Sequence, residues 1–378
     1  MSVGPDSDII PLDPWEETNV AVAGVIERQP RVFVRGSRVW RLVNLAGVAL
    51  GFLLALLPTF VLPPLEARLI TRFVALVVAM AGLQFVVGWC RQLSLCHGVF
   101  VGLGSYTTTI LVGSHGRSHL EGVLLSPVVG FLGGTVIGLV ALRIRALYLG
   151  PVTLAAAVAF PTVVKRFSWF TGGSSGLPIL REVRAPQFLQ HLGFAPERPY
   201  RWAHLIVCVV ATLALVVAHN LRHSPTGLVI RAAATNPISA AASGVNVART
   251  RVVAYACGAA LGAVGGSLLV LDTPIVSADS YDLFRSLGYY AAVVVGGVGS
   301  MAGGAMAAGL LVGVPWIFSV YDVRLGPNLV LGLLLITVTS LAPGGVAAAL
   351  AAKFAQVVTV VEPSPEAGAG PRRPNLAR

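Results

Sequence analysis

The residues that could do chemistry in this chain are few, and several of them interrupt long apolar segments. Gln92, Ser94 and His97 lie close together between two such segments. Because polar groups are costly inside a membrane and tend to face a cavity, these three residues are candidates for lining a polar route through a bilayer. His97 has an alternative interpretation, a histidine at a helix end that bonds to backbone, and the sequence leaves both open.

Hydroxyl groups further along the chain are the other candidates for such a route: Tyr106, Thr153, Thr171 and Ser174. The run from Thr171 to Gly176 is rich in glycine and serine. Its backbone N–H groups could cradle a carboxylate, or the run could be only a flexible loop. Threonines inside helices also bond back to their own helix. The sequence therefore names candidates for solute contact without deciding among them.

Catalytic and metal-binding chemistry is not favoured. The four cysteines have no paired spacing typical of a metal site, and we interpret them as small buried hydrophobic residues. Asp272, Asp279 and Asp282 are more typical of a solvated loop that a partner protein touches than of a paired acid–base catalyst. We predict that the chain is not an enzyme and that it holds no metal and no cofactor of its own.

Composition places the chain in a membrane. Hydrophobic residues make up 55% of its 378 residues. Charged residues make up 11%, against about 25% in soluble domains. Mean hydropathy is +0.79. The formal net charge of +11 comes mainly from arginines at the ends of apolar segments, which suits lipid headgroups and topology control better than a nucleic-acid surface.

The apolar segments predict an all-α membrane protein, a polytopic bundle of about ten transmembrane helices. The predicted spans are 42–62, 73–90, 99–113, 122–142, 146–164, 202–221, 252–271, two short passes within 286–321, and 328–342. Acid-free basic turns at 143–145 and 222–251 fall on the same side, so the positive-inside rule places both chain ends in the cytoplasm. The loop 165–201 carries six basic residues on the other side and runs against that rule.

The segment 222–251, called here the cytoplasmic island, is polar and contains no acidic residue. Asn236 followed by Pro237 is typical of a helix start, with asparagine as the N-cap and proline in the first turn. Gly244 is typical of a helix end. A short helix between two spans has no membrane to cross, so we expect it to touch another protein from the cytoplasmic side.

Two series of glycines repeat every fourth residue and so share one helical face each. They are Gly130, Gly134 and Gly138, and Gly258, Gly262 and Gly266. Such glycines let helix backbones approach closely, either for plain packing or for helices that slide during a cycle of work.

Three segments in order resemble the permeases of high-affinity branched-chain amino-acid importers driven by ATP-binding-cassette (ABC) subunits. The first is Gly88–Tyr106 (GWCRQLSLCHGVFVGLGSY). The second joins Tyr148–Ala155 (YLGPVTLA) with Thr171–Pro178 (TGGSSGLP). The third joins the cytoplasmic island and its exit helix with Val295–Ser300 (VGGVGS). The resemblance covers about residues 70–350 and is to the M-type of the two membrane subunits.

The resemblance implies a multi-pass protein of the bacterial inner (plasma) membrane in which two homologous permeases pair as a heterodimer. Two cytoplasmic ABC ATPase subunits dock on their coupling helices, and an extracytoplasmic binding protein delivers the solute. The coupling residues of this chain would be Asn236, Pro237, Ile238, Ser239, Ala240, Ala241, Ala242, Ser243 and Gly244. The chain contains no phosphate loop of its own, so ATP would be bound by the partner subunits.

This interpretation divides the chain into a cytoplasmic N-terminal tail (1–41), a transmembrane permease domain (42–350) and a disordered cytoplasmic C-terminal tail (351–378). The chain departs from the family where Pro237 and Ala241 replace acidic residues of the coupling helix. It also departs where Arg91 and Cys96 replace small residues beside the first motif.

Three alternatives, one of solute and two of function, stay open from the sequence. Urea or short-chain amides are moved by permeases of the same architecture. A membrane enzyme acting on lipid-linked substrates would need clustered acids, histidines or metal ligands at one depth, and residues 198–271 contain no acid. A stand-alone secondary carrier usually needs carboxylates inside its spans, and none falls in the spans predicted here.

Overall fold

Long apolar runs, most of them started by a proline or a side-chain cap, set the architecture of the chain. A computed structural model describes residues 31–34, 38–143, 148–179, 183, 198–322, 326–342, 344–355 and 358–361. The predicted N-terminal tail up to residue 30, Arg145, residues 180–182 and 184–197 of the loop 165–201, and residues 362–378 lie outside the described residues. The contacts divide the chain into two units, residues 43–351 and residues 1–42 with 352–378.

The elements follow one another as helices with very little sheet. In chain order they are β1 (Arg31–Val34), α1 (Arg38–Leu56), α2 (Pro58–Val61), α3 (Pro64–Leu83), a π-helical turn (Gln84–Trp89), α4 (His97–Gly113), α5 (His119–Leu142), α6 (Leu149–Arg166), α7 (Ser168–Thr171), a 3₁₀ turn (Gly173–Ser175), β2 (Leu177–Pro178), α8 (Pro199–His223), α9 (Pro225–Thr235), α10 (Pro237–Ala242), α11 (Val247–Leu269), a 3₁₀ turn (Val270–Asp272), β3 (Ile275–Val276), a 3₁₀ turn (Ala278–Tyr281), α12 (Leu283–Gly296), α13 (Met301–Val320), α14 (Pro327–Leu341), α15 (Gly345–Ala355) and β4 (Val358–Val361).

The two small sheets each lie within one unit. In the smaller unit β1 pairs in parallel with β4, with Arg31 opposite Val358. The helix α15 ends at Ala355, and the valine-rich 358–361 is a strand, in keeping with the preference of β-branched residues. In the larger unit β2 pairs antiparallel with β3 and joins two loops at one end of the helices.

Six helical segments of the described chain are long and apolar enough to cross a membrane. They are Pro64–Trp89, His119–Leu142, Pro199–His223, Val247–Asp272, Met301–Val320 and Leu329–Leu350. The other predicted spans also form helices, but these are shorter or broken, as where α1 gives way to α2 at Leu57 ahead of Pro58. Helix length therefore does not confirm the predicted count of about ten spans. The predicted helical membrane architecture is confirmed.

The helix α11 is the packing centre of the larger unit, in contact with α3, α4 and α5. At its crossing with α3, a Cβ on Gly82 would lie 2.8 Å from the backbone nitrogen of Gly262. The glycines of α5 face α11, and those of α11 face α3 and α4. Close packing therefore accounts for both glycine series.

Replacing Gly134 with alanine tests this packing. The new Cβ would lie 2.8 Å from Cα of Ala256 and would also meet Cβ of Ala259, so backbone must shift. We expect a loss of about 1–3 kcal/mol of stability, measured as a lower thermal unfolding temperature in detergent. Gly133→Ala is the matched control, because its Cβ meets only the flexible end of Leu103. Equal stability of the two variants would contradict this account of the packing.

The helix α4 begins partway along α11. Its first residue, His97, packs against Gly262 of α11. A Cβ on Gly262 would lie only 3.0 Å from His97 Nε2. The preceding residues return from the π-helical turn without helical structure, and Arg91 among them has a positive φ of 49°. The short apolar segment expected at 99–113 is thus a helix that starts inside the bundle.

Ion pairs mark the end of the bundle opposite the cytoplasmic island. Asp272, at the end of α11, lies 3.1 Å from Nε of Arg72 and 3.7 Å from Nε of Arg68 on α3. The Asp272 side chain is 6% exposed, so the expectation of a solvated carboxylate was wrong for this residue. Asp279 does lie exposed, 2.6 Å from Nζ of Lys165, and Asp282 caps α12 by accepting from Arg285 N–H.

Candidate functional site: the cytoplasmic island and its connections

The predicted helix of the cytoplasmic island is present as α10. Asn236 caps it, with its side-chain oxygen accepting from the backbone N–H of Ile238 at 3.1 Å and of Ser239 at 3.0 Å. Pro237 occupies the first turn, where its missing N–H costs nothing. Gly244, with φ of 84°, ends the helix, and Val245 N–H closes back on the Ala240 carbonyl. The local sequence thus fixes both ends of α10.

The helix α10 presents an apolar, uncharged surface to solvent. Ile238 is 81% exposed, whereas Ala240 is only 6% exposed and faces the chain's own interior. Ala241, Ala242 and Ser243 are exposed. The helix α10 thus projects one large aliphatic side chain, Ile238, from a short helix that is capped at both ends.

A second helix of the island, α9, was missed by the sequence interpretation. Its start signal was present, since Ser224 accepts from Gly227 N–H and Pro225 follows in the first turn. The island is therefore a pair of capped helices, α9 and α10, that contact each other, and α10 also contacts α11.

The helix α9 is anchored to the bundle by one buried cluster, called here the inner cluster. Ile230 of α9 packs there with Phe85 and Trp89 of the π-helical turn, with Cys90 directly after it, and with Ala254 of α11. At the end of α8, Arg222 stacks on the Trp89 ring, 4.9 Å from its centroid. The start of the island and the π-helical turn are therefore in direct contact.

The π-helical turn in turn holds the glycine segment between α12 and α13. Gln84, fully buried, donates from its amide nitrogen to the Gly297 carbonyl at 2.7 Å. Its oxygen accepts from Gly299 N–H at 2.6 Å, and Trp89 Nε1 donates to the Gly299 carbonyl at 3.0 Å. Gln84 is not among the residues predicted from the sequence, although a single amide side chain inside an apolar span indicates a structural or functional role.

The seven candidates for a solute route are not brought to one place. Gln92 is half-buried and lines a cavity of about 210 Å³ between the island, α5, α6 and α11. Ser94 is buried and accepts from the Tyr255 hydroxyl at 2.7 Å. Thr153 is also buried, accepting from Leu95 N–H at 3.1 Å and donating to its own helix.

The remaining four lie deeper in the bundle or at its far end. His97 is fully buried, with Nε2 2.7 Å from the Ala79 carbonyl, which is the backbone-bonded histidine of the alternative interpretation. Tyr106 packs edge-on against Phe160 and Tyr281. Thr171 donates to the Val164 carbonyl at 2.7 Å and accepts from Gly173 N–H, and Ser174 is exposed in the loop that follows.

The four cysteines are free, and three of them are buried. Within the described residues, no group of three or more His, Cys, Asp or Glu side chains is placed to hold a metal ion. The buried polar side chains described above mostly form hydrogen bonds that hold the helices together.

Comparisons with known proteins agree with this architecture. Residues 66–339 match the family described as "Branched-chain amino acid transport system / permease component". The chain is 27% identical over 282 residues to the high-affinity branched-chain amino acid transport system permease protein LivM of Salmonella typhimurium, covering 69% of this chain and 66% of that protein. It is 27% identical over 247 residues to LivM of Escherichia coli, covering 61% and 58%.

The permease protein LivH of Salmonella typhimurium is also similar, 25% identical over 249 residues, covering 62% of this chain and 78% of that protein. The matched part spans less than two thirds of either LivM relative. No solved structure matches the chain.

The fold and its apolar helices define a multi-pass α-helical membrane protein. Since the family match extends over most of the chain, the chain belongs to the family of permease components of branched-chain amino acid transport systems.

Proposed function

We propose that this chain is a membrane-spanning permease subunit of an ATP-driven importer for branched-chain or related hydrophobic amino acids. The observation that carries the proposal is α10, a capped helix with an exposed apolar face between two spans of a family member. A force-bearing contact with a cytoplasmic partner needs such a rigid projection, and the absence of acidic residues on α10 makes the contact apolar rather than ionic.

The partners follow from that role. A second, homologous permease would complete the membrane part, and the similarity of this chain to both LivM and LivH supports such a pair. Two ABC ATPase subunits would bind ATP and dock on α10 and its counterpart. A solute-binding protein would contact the opposite end, where α7, β2 and β3 lie.

The inner cluster gives this chain a route from the docking helices to the bundle. Movement of α10 displaces α9, whose Ile230 packs on Phe85 and Trp89. Because Trp89 and Gln84 both bond the segment from Gly297 to Gly299, the displacement reaches the connection between α12 and α13. Hydrolysis outside the chain can in this way shift helices inside it.

The route for solute is weakly polar in this proposal, with recognition left to the binding protein. Of the candidates, Gln92 and Ser174 are accessible and mark the two ends. Ser94, Thr153, Thr171, Tyr106 and His97 support the helices between them. A zwitterion with an aliphatic side chain suits such walls. Uptake of radiolabelled leucine and urea, measured in parallel, tests the choice of solute.

About ten passes with both ends in the cytoplasm complete the proposed architecture. Gly150 at the start of α6 meets Leu93, and Lys165 at its end meets Asp279, so α6 runs from the island end to the far end.

Site-directed labelling checks this topology. A membrane-impermeant maleimide should label Ser174→Cys in intact cells and should label Ala241→Cys only after the inner membrane is opened. Both positions are exposed, whereas Ala240 is buried and unsuitable for labelling. The unaltered chain is the control, because it measures how much maleimide reacts with the four native cysteines. Labelling of residue 241 in intact cells would overturn the topology and the docking role together.

A further inference from the structure

The cavity of about 210 Å³ beside the cytoplasmic island has an unusual balance of charge. Arg91, Gln92, Thr250 and Arg251 are polar lining residues, and the lining contains no carboxylate. Leu93 and Ile230 are among the side chains that form its apolar walls. Both arginines are exposed residues, so two cationic side chains open to solvent contribute to a lining that is otherwise largely apolar.

These two cations have no internal counter-charge. Within the described part of the chain, neither Arg91 nor Arg251 forms an ion pair with a carboxylate, while the ion pairs that do form use other arginines and a lysine. The whole island, residues 222–251, is free of acidic residues. Like charges near a cavity attract a counter-ion more strongly where its walls are of low dielectric.

The backbone at Arg91 adds a second observation. Its φ of 49° is one of only two positive values among the described non-glycine residues. The backbone is therefore locally strained at this residue. Glycine would adopt the same turn without that cost. The arginine is therefore favoured here by something other than the turn.

We propose that this cavity binds the phosphate group of an anionic phospholipid from the cytoplasmic leaflet. Arginine suits phosphate because its planar guanidinium donates two parallel hydrogen bonds. The cavity lies at the ends of spans on the island side, where anionic headgroups are found and where basic pockets between helices bind them. The apolar walls suit the glycerol and first acyl carbons. Because α9 and α11 both line the cavity, a bound lipid would brace the island against the bundle.

The test compares variants of the purified full-length chain in detergent. Binding of phosphatidylglycerol is followed by native mass spectrometry, with phosphatidylcholine, inorganic phosphate and leucine as the other probes. We expect Arg91→Gln and Arg251→Gln each to weaken phosphatidylglycerol binding about fivefold, at about 1 kcal/mol per arginine. Arg249→Gln is the matched control, an exposed arginine of the same island that does not line the cavity, and should bind as the unaltered chain does.

Each outcome of this experiment either supports or overturns the proposed lipid site. Arg91→Lys should recover part of the binding lost in Arg91→Gln, which separates loss of charge from loss of fold. Competition by inorganic phosphate alone, without lipid selectivity, would assign the phosphate site to a free anion. Equal binding in all variants, or equal binding of phosphatidylcholine, would overturn the proposal. Displacement by leucine would assign the cavity to the solute instead. None of these outcomes depends on transport, so the proposed function stands or falls separately.

Discussion

Replacing Ala241 with tryptophan is expected to abolish amino-acid uptake while the subunit remains folded and inserted. Ala241 lies exposed on α10, so the large ring projects outward and does not disturb the bundle. The ring occupies the space that the ATPase needs for docking, and uptake should fall at least about tenfold, since disrupting a central interface contact costs about 2 kcal/mol or more. Radiolabelled leucine uptake and ATPase activity in the same membranes measure the effect, with hydrolysis continuing uncoupled.

Ala248→Trp is the matched control for this result. Ala248 is also an exposed alanine of the island but lies in the first turn of α11, outside α10. It should retain most of the uptake. Ala240→Trp is a poor test, because Ala240 is buried and an indole ring there would displace α10 from the residues it packs against. Unchanged uptake in Ala241→Trp would remove α10 as the docking helix.

Replacing Gln84 with methionine should destabilise the chain and impair uptake strongly. Methionine has a similar shape but leaves the Gly297 carbonyl and the Gly299 N–H without the partners that Gln84 now supplies. Each buried unsatisfied group costs about 1–3 kcal/mol, and Gln84 is fully buried. Thermal unfolding of the purified chain measures the loss.

Thr337→Val is the control for the loss of a polar group as such. Its hydroxyl is exposed and donates only to the Leu333 carbonyl of its own helix. Its unfolding temperature should match that of the unaltered chain. A Gln84→Met chain as stable as this control would show that the glycine segment does not depend on the Gln84 amide.

Much of the architecture is visible in the sequence because membrane spans and helix caps are local signals. Asn236, Pro237 and Gly244 specify α10 through hydrogen bonds and backbone conformation within one short stretch. The glycine series predicts close helix crossings for the same reason, since spacing alone places the glycines on one face. The break between α12 and α13 falls at the glycine-rich stretch Val295–Ser300, in keeping with the two short passes expected within 286–321.

What the sequence could not supply were partners distant along the chain. Gln84 bonds residues more than two hundred positions away, and nothing in its neighbourhood names them. His97 could be a route residue or a backbone-bonded histidine until Ala79 was found beside it. Asp272 resembled a loop residue because its partners, Arg68 and Arg72, belong to a different helix.

Uptake in a strain with and without this subunit, its partners present, tests the central claim most directly. We predict that deletion abolishes uptake of radiolabelled leucine, leaves urea uptake intact, and is reversed by restoring the gene. Loss of urea uptake with leucine uptake intact would contradict the proposed solute. Loss of neither would contradict the proposed function of this chain.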